Sequence, residues 1–435
     1  MQGCRSHART RLVRLVTVVL AAAVVVGAAT AQALTVQVEA DARDVFDALA
    51  TAYPGELAIT DAGAEVVLRL GSVAWDDRSR VAVTGDVVLE RLSATETAAA
   101  FQRFAAGVEG QRALIAAGLL PATVTVVDQT GRSVVVPQPV ERVFSGYGVA
   151  TYLVYALGAG DRLVVGNYLG ARDPDGAAAM ERIDPRFPER NAETPADTTN
   201  VEFVASLGTD LVLAGGNSEW VGPVEAIGIA VLGFAGETPE RMREAVRIAG
   251  SALGPDAAAR AEAWVAYYDR VLADVERVVS GLAERPRVLF TGTERTRVAS
   301  GAMYQTAIIE LAGGVSVSAH LTGSWNDVDI EQVLTWNPEV VLVPPYGRAS
   351  VGAVTEDAEW QLLDAVRDGA VYRVPKLVAP WDTPVPDSVL AIVWLAETLH
   401  GDLTGLDCAA ETRFFYERFY DYAIDDEEIS TLCQR

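Results

Sequence analysis

The chain has 435 residues and a formal net charge of −24, from 35 lysines and arginines against 59 aspartates and glutamates. Its only lysine is Lys376. So acidic a surface repels nucleic acid and anionic lipid, which excludes both as expected partners. The length exceeds that of one ordinary hydrophobic core, so we expect two or more domains.

The first residues have the order of a secretory signal peptide. Four arginines and no acid occupy residues 1–14, and an apolar run from 15 to 29 ends at the small-residue site Ala31-Gln32-Ala33. Residues 1–33 are therefore predicted to be removed by cleavage before Leu34, which makes the protein periplasmic. The apolar run is shorter than the roughly 20 residues of a membrane span. An uncleaved N-terminal anchor is the alternative.

The positions of the cysteines also indicate how the exported protein is attached and held together. Cys4 precedes the apolar run, whereas a lipoprotein cysteine follows it, so neither a lipid anchor nor stable membrane insertion is expected. In an oxidising compartment Cys408 and Cys433 could pair and pin the C-terminal tail, residues 403–435. The sequence leaves this open, because a disulfide requires a specific Cα separation.

Residues 34–121 predict a small α/β lobe. They open with a strand and a helix, LTVQVEADARDVFDALATAYPG, and close with ETAAAFQRFAAGVEGQRALIAAGLLP, whose apolar spacing predicts a core-facing helix. Both ends resemble the molybdate-binding proteins of ABC importers, which implies one truncated lobe of that two-lobed fold. The loop Val38-Glu39-Ala40-Asp41 is acidic where that family has hydroxyl groups, so it would repel an anion. A generic α/β appendage is the alternative.

Residues 122–255 predict a second α/β lobe. Alternating valines around Gln129-Thr130-Gly131 predict a β-hairpin. A strand over 142–144 then leads through Ser145-Gly146-Tyr147-Gly148 into a helix, after which strands and helices alternate. That order is typical of a parallel sheet whose ligand crevice lies at the carboxyl ends of the strands.

A long helix and a further α/β series follow. Apolar residues at three- and four-residue steps from Trp264 to Leu282 predict one helix over 256–282, roughly 40 Å long. Residues 283–402 then repeat the α/β order, with helices predicted at 305–311, 330–336, 358–366 and 388–399. The predicted fold is therefore two α/β lobes joined by a single long backbone helix, with an extra small N-terminal α/β lobe.

Five stretches between residues 122 and 402 carry a family likeness. They are VVDQTGRSVVVPQPVERV, YLVYALGAGDRLVVG, VEFVASLGTDLVLAGG, IIELAGG and VDIEQVLTWNPEVVLV. Their combined order resembles the substrate-binding proteins of ABC importers for iron-siderophores, haem and vitamin B12. The resemblance implies a helical-backbone periplasmic binding protein, without a cofactor, that delivers its ligand to a membrane permease and its ATPase.

The loops after the strands hold the candidate ligand contacts. Aromatic rings there leave apolar area in water, which a bound ligand would cover. Trp381 is the leading candidate, since Pro380 and Pro384 stiffen its loop and Asp382 gives it a polar edge. Alternatively, several of these rings pack on their own lobe. The full set is Ser145, Tyr147, Trp220, Arg295, Tyr304, Trp325, Tyr346, Arg348, Trp381 and Asp382.

Two ligand classes fit these residues. Aromatic and arginine contacts suit a metal chelate of the ferric-siderophore, haem or cobalamin type, which we favour. Molybdate or tungstate is the alternative, because Ser145-Gly146-Tyr147-Gly148 at a helix N-terminus offers N–H and O–H donors. A bare metal ion is disfavoured, since the mature chain offers only His320 and His400, and His400 is expected to face solvent.

The resemblance also implies an acidic residue on each lobe that docks onto basic residues of the permease. The matching positions are Glu219 or Glu225 in the first lobe and Glu356 or Glu359 in the second. A solvated surface is the alternative for each of them.

An enzyme is not expected. No G-x-S-x-G, H-E-x-x-H or G-x-x-x-x-G-K-[ST] motif occurs. Asp327 and Asp329 could imitate a catalytic carboxylate pair, but helix capping explains them more simply. A periplasmic interaction or adaptor protein is the remaining alternative, because of the extra lobe.

Overall fold

The computed structural model describes residues 33–169, 174–193, 200–216, 218–235, 238–401 and 405–434. The predicted signal peptide lies outside these ranges except for Ala33. The strands are β1 (Leu34–Val38), β2 (Leu57–Ile59), β3 (Val66–Leu70), β4 (Arg80–Ala82), β5 (Val87–Arg91), β6 (Thr123–Val127), β7 (Ser133–Pro137), β8 (Val143–Ser145), β9 (Leu163–Val165), β10 (Leu211–Gly215), β11 (Ala230–Phe234), β12 (Arg287–Phe290), β13 (Arg297–Ala299), β14 (Val315–Ser316), β15 (Trp325–Asp327), β16 (Val340–Val343) and β17 (Val371–Arg373).

The helices are α1 (Arg43–Ala52), α2 (Glu96–Ala106), α3 (Val108–Ala116), α4 (Gly148–Ala156), α5 (Pro174–Ile183), α6 (Phe187–Glu193), α7 (Val201–Ser206), α8 (Val221–Ala226), α9 (Pro239–Leu253), α10 (Pro255–Val279), α11 (Tyr304–Leu311), α12 (Ile330–Trp336), α13 (Val351–Thr355), α14 (Asp364–Arg367), α15 (Ser388–His400), α16 (Cys408–Phe419) and α17 (Asp426–Leu432). Short 3-10 turns occupy Ala40–Ala42, Gly160–Arg162 and Trp360–Leu362.

The N-terminal residues form a mixed five-stranded sheet in the order β2-β1-β3-β5-β4. Strand β1 runs parallel to β2 and β3, whereas β5 runs antiparallel to β3 and β4. Thr95 starts α2 by accepting a hydrogen bond from the N–H of Ala98, and Phe101 is fully buried against Leu34 and Leu68 in a core of this sheet's own. The alternating and amphipathic patterns therefore close a local core.

Two parallel four-stranded sheets follow. The second sheet has the order β11-β10-β8-β9 and the third has the order β14-β12-β16-β17. The central strands β10 and β16 are buried on both faces, and all four residues of β16 are buried, because helices cover both sides of a parallel sheet. The predicted hairpin of β6 and β7 is confirmed, with Thr123 opposite Pro137 and Val127 opposite Ser133.

Helix α10 lies between these two sheets in the sequence. It begins at Pro255, directly after Gly254, and its 25 residues end at Val279 rather than at the predicted 282. Trp264, Tyr268 and Val271 are buried, and the helix packs against α9 on one side and α15 on the other. The apolar stripe thus contacts helices that belong to both parallel sheets.

Two regions differ from prediction. In place of a helix over 358–366 the chain forms the turn Trp360–Leu362 and α14, because the backbone of Leu363 between them is extended, with a ψ of 143°. The predicted C-terminal tail is instead helical over α16 and α17, with Phe415 and Phe419 fully buried in the main core.

The sequence left open whether Cys408 and Cys433 pair, and the structure contains the disulfide. The sulfur atoms of Cys408 and Cys433 form a disulfide, with a Cα–Cα distance of 5.9 Å. It links the start of α16 to the residue after α17. The C-terminal helices are therefore held together covalently as well as by packing.

The N-terminal sheet contacts α10 and α16 through Trp75. The guanidinium carbon of Arg270 lies 5.4 Å from the centre of the Trp75 ring, and the ring of Phe414 is also 5.4 Å away. Arg418 donates from Nε to the carbonyl of Trp75 at 2.8 Å, and the N–H of Ala82 donates to Asp256 at 3.2 Å. Among the helices of the described ranges, none has the length and hydropathy needed to cross a membrane.

Candidate ligand-binding site

The candidate site lies where the strands of the second and third sheets end. We use "cleft face" for the loops at these carboxyl ends, residues 145–148, 218–220, 291–297, 344–348 and 374–387, together with Trp325 at the start of β15. The hydroxyl of Tyr152, on α4, donates to the carbonyl of Val378 at 2.9 Å. Tyr147 and Trp325 both pack against one shared core cluster. Loops from the two sheets therefore meet on this face, where ligands of parallel α/β proteins bind.

Two aromatic rings belong to the second sheet's side of the cleft face. Tyr147 and Trp220 are half-buried, and Trp220 packs edge-on against Phe144 with 6.1 Å between ring centres. A Cβ atom at Gly146 would lie 2.7 Å from the Trp220 ring. Glycine is required there because the ring occupies the space of a side chain.

Ser145 is not available to a ligand. Its side chain is fully buried; Oγ donates to the carbonyl of Tyr147 at 3.0 Å and accepts from the hydroxyl of Thr151 at 2.8 Å. The prediction that its hydroxyl contacts the ligand is wrong, because these local hydrogen bonds brace the turn into α4 instead.

On the third sheet's side, Tyr346 and Asp382 form a linked pair. The Tyr346 hydroxyl donates to Oδ2 of Asp382 at 2.6 Å, and Nε2 of Gln305 lies 3.4 Å from the same oxygen. Asp382 is 1% exposed, and burial raises its pKa to about 6, against the opposing effect of these two hydrogen bonds. Burial also raises the pKa of Tyr346. Among the described residues, nothing donates to Oδ1 of Asp382.

Trp325 completes the aromatic set of the cleft face. It is half-buried on β15, with its ring 6.4 Å from that of Phe290 at the end of β12. The face thus carries four half-buried rings, two from each sheet's side: Tyr147 and Trp220, Trp325 and Tyr346.

The two predicted arginines are both paired. Arg295 donates to Asp357 at 2.6 Å and to the carbonyl of Ala353 at 2.7 Å, so it braces the C-terminal end of α13. Arg348 donates from Nε to Glu294 at 2.6 Å, and its side chain is 85% exposed. A ligand would have to compete with these carboxylates for either guanidinium.

Trp381 and Tyr304 lie in the core, so the prediction that their rings are open to a ligand is wrong. Trp381 is 0% exposed and donates from Nε1 to the hydroxyl of Tyr416 at 3.4 Å. Tyr304 is 2% exposed, with its hydroxyl 2.7 Å from Oγ of Ser388. Helices α16 and α15 supply the atoms that cover them.

The sequence interpretation missed a buried carboxylate in the same loop. Asp387 is 0% exposed and accepts hydrogen bonds from the hydroxyls of Tyr416, at 2.6 Å, and Tyr420. Burial raises its pKa to about 6, although both hydrogen bonds act in the opposite direction. No local pattern marks this network, because its members lie about thirty residues apart.

Lys376 also lies on the cleft face. The only lysine of the chain is half-buried there, and burial lowers its pKa. Two features of the sequence could have marked Lys376 as a site residue, namely that it is the only lysine and that it follows Pro375. Neither feature by itself identifies a ligand contact.

The two histidines in the described ranges, His320 and His400, each contact a different part of the third sheet's side. Nε2 of His400 lies 3.1 Å from the carbonyl oxygen of Ala312, and the side chain is half-buried rather than facing solvent as predicted. His320 packs edge-on against Trp336. In the described part of the chain, no three or more His, Cys, Asp or Glu residues are grouped so that they could hold a metal ion.

The four predicted docking glutamates are all exposed: Glu219, Glu225, Glu356 and Glu359. Glu225, on α8, pairs with Arg132 at 2.6 Å. Glu356 and Glu359 flank the turn after α13. Asp329 caps α12, as expected, by accepting from the N–H of Gln332, and Asp327 lies 3.7 Å from Arg297.

Known proteins share this organisation. Residues 147–377 match the family described as periplasmic binding protein. The chain is 29% identical over 212 residues to the vitamin B12-binding protein of Yersinia pestis, covering 47% of this chain and 70% of the relative. It is 30% identical over 119 residues to the molybdate-binding protein MolA of Haemophilus influenzae, covering 27% of this chain and only 34% of that relative.

A solved structure agrees with these matches. The crystal structure of a periplasmic solute binding protein from Veillonella parvula superposes with a TM-score of 0.64 at 25% identity, over 71% of this chain and 96% of the other. The two sequence relatives and the solved structure are all described as binding proteins.

Proposed function

The chain belongs to the periplasmic binding protein family, and we propose that it is the substrate-binding component of an ABC importer that captures a metal chelate. The observation that carries this proposal is the pairing of aromatic rings across the cleft face. Tyr147 and Trp220 come from one sheet's side, and Trp325 and Tyr346 come from the other. A ligand between them would bury apolar area on both sides at once.

A chelate is favoured over a bare oxyanion because the polar side chains of the site already have hydrogen-bond partners within the protein. The Ser145 hydroxyl is committed to Tyr147 and Thr151, and Arg295 is committed to Asp357. A bare oxyanion depends on such donors being free to converge on it. A ferric siderophore, haem or cobalamin is larger and partly apolar, so half-buried rings supply most of what it needs.

Molybdate or tungstate is the second candidate. It is supported by the match to MolA over 119 residues and by the position of Gly148 at the start of α4. The first N–H groups of a helix have no partner within it and favour an anion. This candidate needs only backbone donors, so the commitment of Ser145 does not by itself remove it.

We assign the parts of the chain to this function as follows. Residues 1–33 are a cleaved signal peptide that exports the protein to the periplasm, and the disulfide of Cys408 and Cys433 suits such an oxidising compartment. The two binding lobes are 122–255 and 283–402, joined by the backbone helix within 256–282. Residues 34–121 are an additional lobe that corresponds to the two ends of a molybdate-binding protein's chain, without the segment that builds its other lobe.

Docking onto the permease is assigned to the exposed glutamates. Glu219 lies beside Trp220 on the cleft face, and Glu356 lies at the end of α13 on the third sheet's side. Glu225 is already paired with Arg132, which makes it the weaker choice in the first lobe. Opposite charges on the permease would steer the encounter and fix its orientation.

Tryptophan fluorescence tests the proposal directly. Cobalamin, haem, a ferric hydroxamate and molybdate are each titrated into the purified protein. One chelate is expected to quench the emission saturably, and most of that quenching is lost in Trp220→Phe and Trp325→Phe. Trp336→Phe, away from the cleft face on α12, serves as the control and keeps the quenching. An adaptor protein would give no saturable change with any of the four.

A further inference from the structure

A cavity of about 520 Å³ lies between the N-terminal sheet and the helices of the second sheet. Its walls come from the loop after β3, from β4 and β5, from α3, and from the junction of α9 and α10. It is separate from the cleft face, since none of the loops of that face lines it. Its volume falls within the range of small-molecule sites, which often form between domains.

The walls of this cavity are mainly apolar and carry short side chains. Val88, Ile115 and Leu120 line it from the N-terminal side, and Ala258 and Ala259 line it from α10. Leaving such a surface in water costs about 25 cal/mol for each Å² of apolar area. A bound apolar molecule would remove that cost while leaving the two walls in place.

One buried polar group contributes to the wall. Gln111 lines the cavity and is 2% exposed; its Nε2 donates to the carbonyl of Ala106 at 3.1 Å, which fixes the amide. A Cβ atom at Gly254 would lie 2.6 Å from Oε1 of Gln111. Gly254 has a φ of +110°, so both backbone and space require glycine there. The amide oxygen is thereby held at the wall, where it can accept one hydrogen bond.

Charge restricts the class of ligand further. Of the described residues that line the cavity, Glu262 alone is charged, and it pairs with Arg247 at 2.9 Å. No lining cation is present to balance a carboxylate or phosphate, and burying an unpaired charge is costly. An anionic ligand is therefore excluded, because its charge would be buried in the cavity without a partner.

We infer that this cavity is a second ligand site, which binds a small, mainly apolar, neutral or singly cationic molecule with one hydrogen-bond donor for Gln111. The site is independent of the chelate proposal. A molecule bound in this cavity would contact both the N-terminal sheet and α10. Binding would therefore also stabilise the packing of the N-terminal sheet against α10.

The test uses N-phenyl-1-naphthylamine, a neutral apolar dye with one N–H group, added to the purified full protein. Saturable one-to-one binding with a blue shift of the dye emission is expected. Ala259→Phe places a ring in the cavity and is expected to weaken dye binding by about tenfold or more. Ser251→Phe fills the cavity from the exposed end of α9 and provides a second, independent variant.

The matched control is Ala273→Phe, which places the same ring on an exposed position of α10 about 20 Å further along the helix. It is expected to bind the dye as the unaltered protein does. Thermal unfolding of each variant checks that the fold is retained. The inference is overturned if the unaltered protein shows no saturable binding, or if both filled variants bind the dye as tightly as the control.

Discussion

The hydroxyl of Tyr346 lies 2.6 Å from Oδ2 of Asp382 and donates a hydrogen bond to it beneath the cleft face. Burial nevertheless raises the pKa of Asp382 to about 6, because the low dielectric disfavours the ionised carboxylate more than two hydrogen bonds favour it. The floor of the candidate site therefore contains a carboxyl group that changes its charge in a mildly acidic range.

The raised pKa of Asp382 predicts a specific pH dependence of stability. The folded state holds the proton more tightly than the unfolded state, so this group's contribution is complete below about pH 4 and is lost as the pH rises to about 6. The difference of about two pKa units corresponds to about 3 kcal/mol. Asp382→Asn cannot ionise, and urea unfolding between pH 4 and 7 should show less loss of stability than in the unaltered protein.

Asp368, which is exposed in the turn after α14, provides the matched control for this experiment. Asp368→Asn should leave the slope of stability against pH unchanged. The account of Asp382 fails if Asp382→Asn and the unaltered protein lose the same free energy of unfolding over this pH range.

The disulfide should stabilise the protein measurably. Cys408 and Cys433 are 25 residues apart in sequence, and closing a loop of that length is worth about 3 kcal/mol through the entropy of the unfolded chain. Urea unfolding with and without a reducing agent should show this loss. The double variant Cys408→Ser/Cys433→Ser should resemble the reduced protein and be insensitive to the reagent. A stability unaffected by reduction would contradict the prediction.

Trp75 should hold the N-terminal sheet against the rest of the protein. Its ring contacts Arg270 and Phe414, so Trp75→Ala removes a cation–π contact and buried apolar area, together about 2 kcal/mol. We expect the variant to show a separate, earlier unfolding transition for residues 34–120 in thermal denaturation. Leu92→Ala, an exposed position of the same sheet region, should unfold as the unaltered protein does. A single unshifted transition in Trp75→Ala would refute the role.

Glu219 and Glu356 should affect delivery rather than capture. Reversing both charges, with Glu219→Lys and Glu356→Lys, places like charges against the permease and should lower cellular uptake by about tenfold. Ligand binding by the purified variant should change far less than uptake, since both glutamates are exposed and neither is one of the four rings proposed to hold the ligand. Glu310→Lys, exposed on α11, is the control. Normal uptake by the double variant would remove these residues from the docking surface.

The elements of the fold were predictable where periodicity was strong. The apolar stripe through Trp264 and Tyr268 predicted α10 to within three residues at its C-terminal end, and alternating valines predicted the β6–β7 hairpin. Both signals are local, because one face of a helix or strand must be apolar wherever it packs. The break at Leu363 escaped prediction because the sequence carries no turn residue there, and this fully buried leucine is extended in its tertiary context.

The site residues were predictable only in their position along the chain. Tyr147, Trp220 and Tyr346 lie after parallel strands, as the strand pattern predicts, but the exposure of each ring depends on distant chain segments. Trp381 illustrates this: its proline-rich loop is predicted from the sequence to be open, yet Tyr416 of α16 packs over the ring. Because residues 403–435 were interpreted as a tail, the helix that buries this ring was absent from the prediction.

Isothermal titration calorimetry of the purified protein with a ferric siderophore, haem, cobalamin and molybdate tests the central claim most directly. We predict one-to-one binding of one chelate, no binding of molybdate, and a loss of affinity of about tenfold or more in Trp220→Ala/Trp325→Ala. One-to-one binding of molybdate that the double variant retains, with no heat from any chelate, would contradict the account.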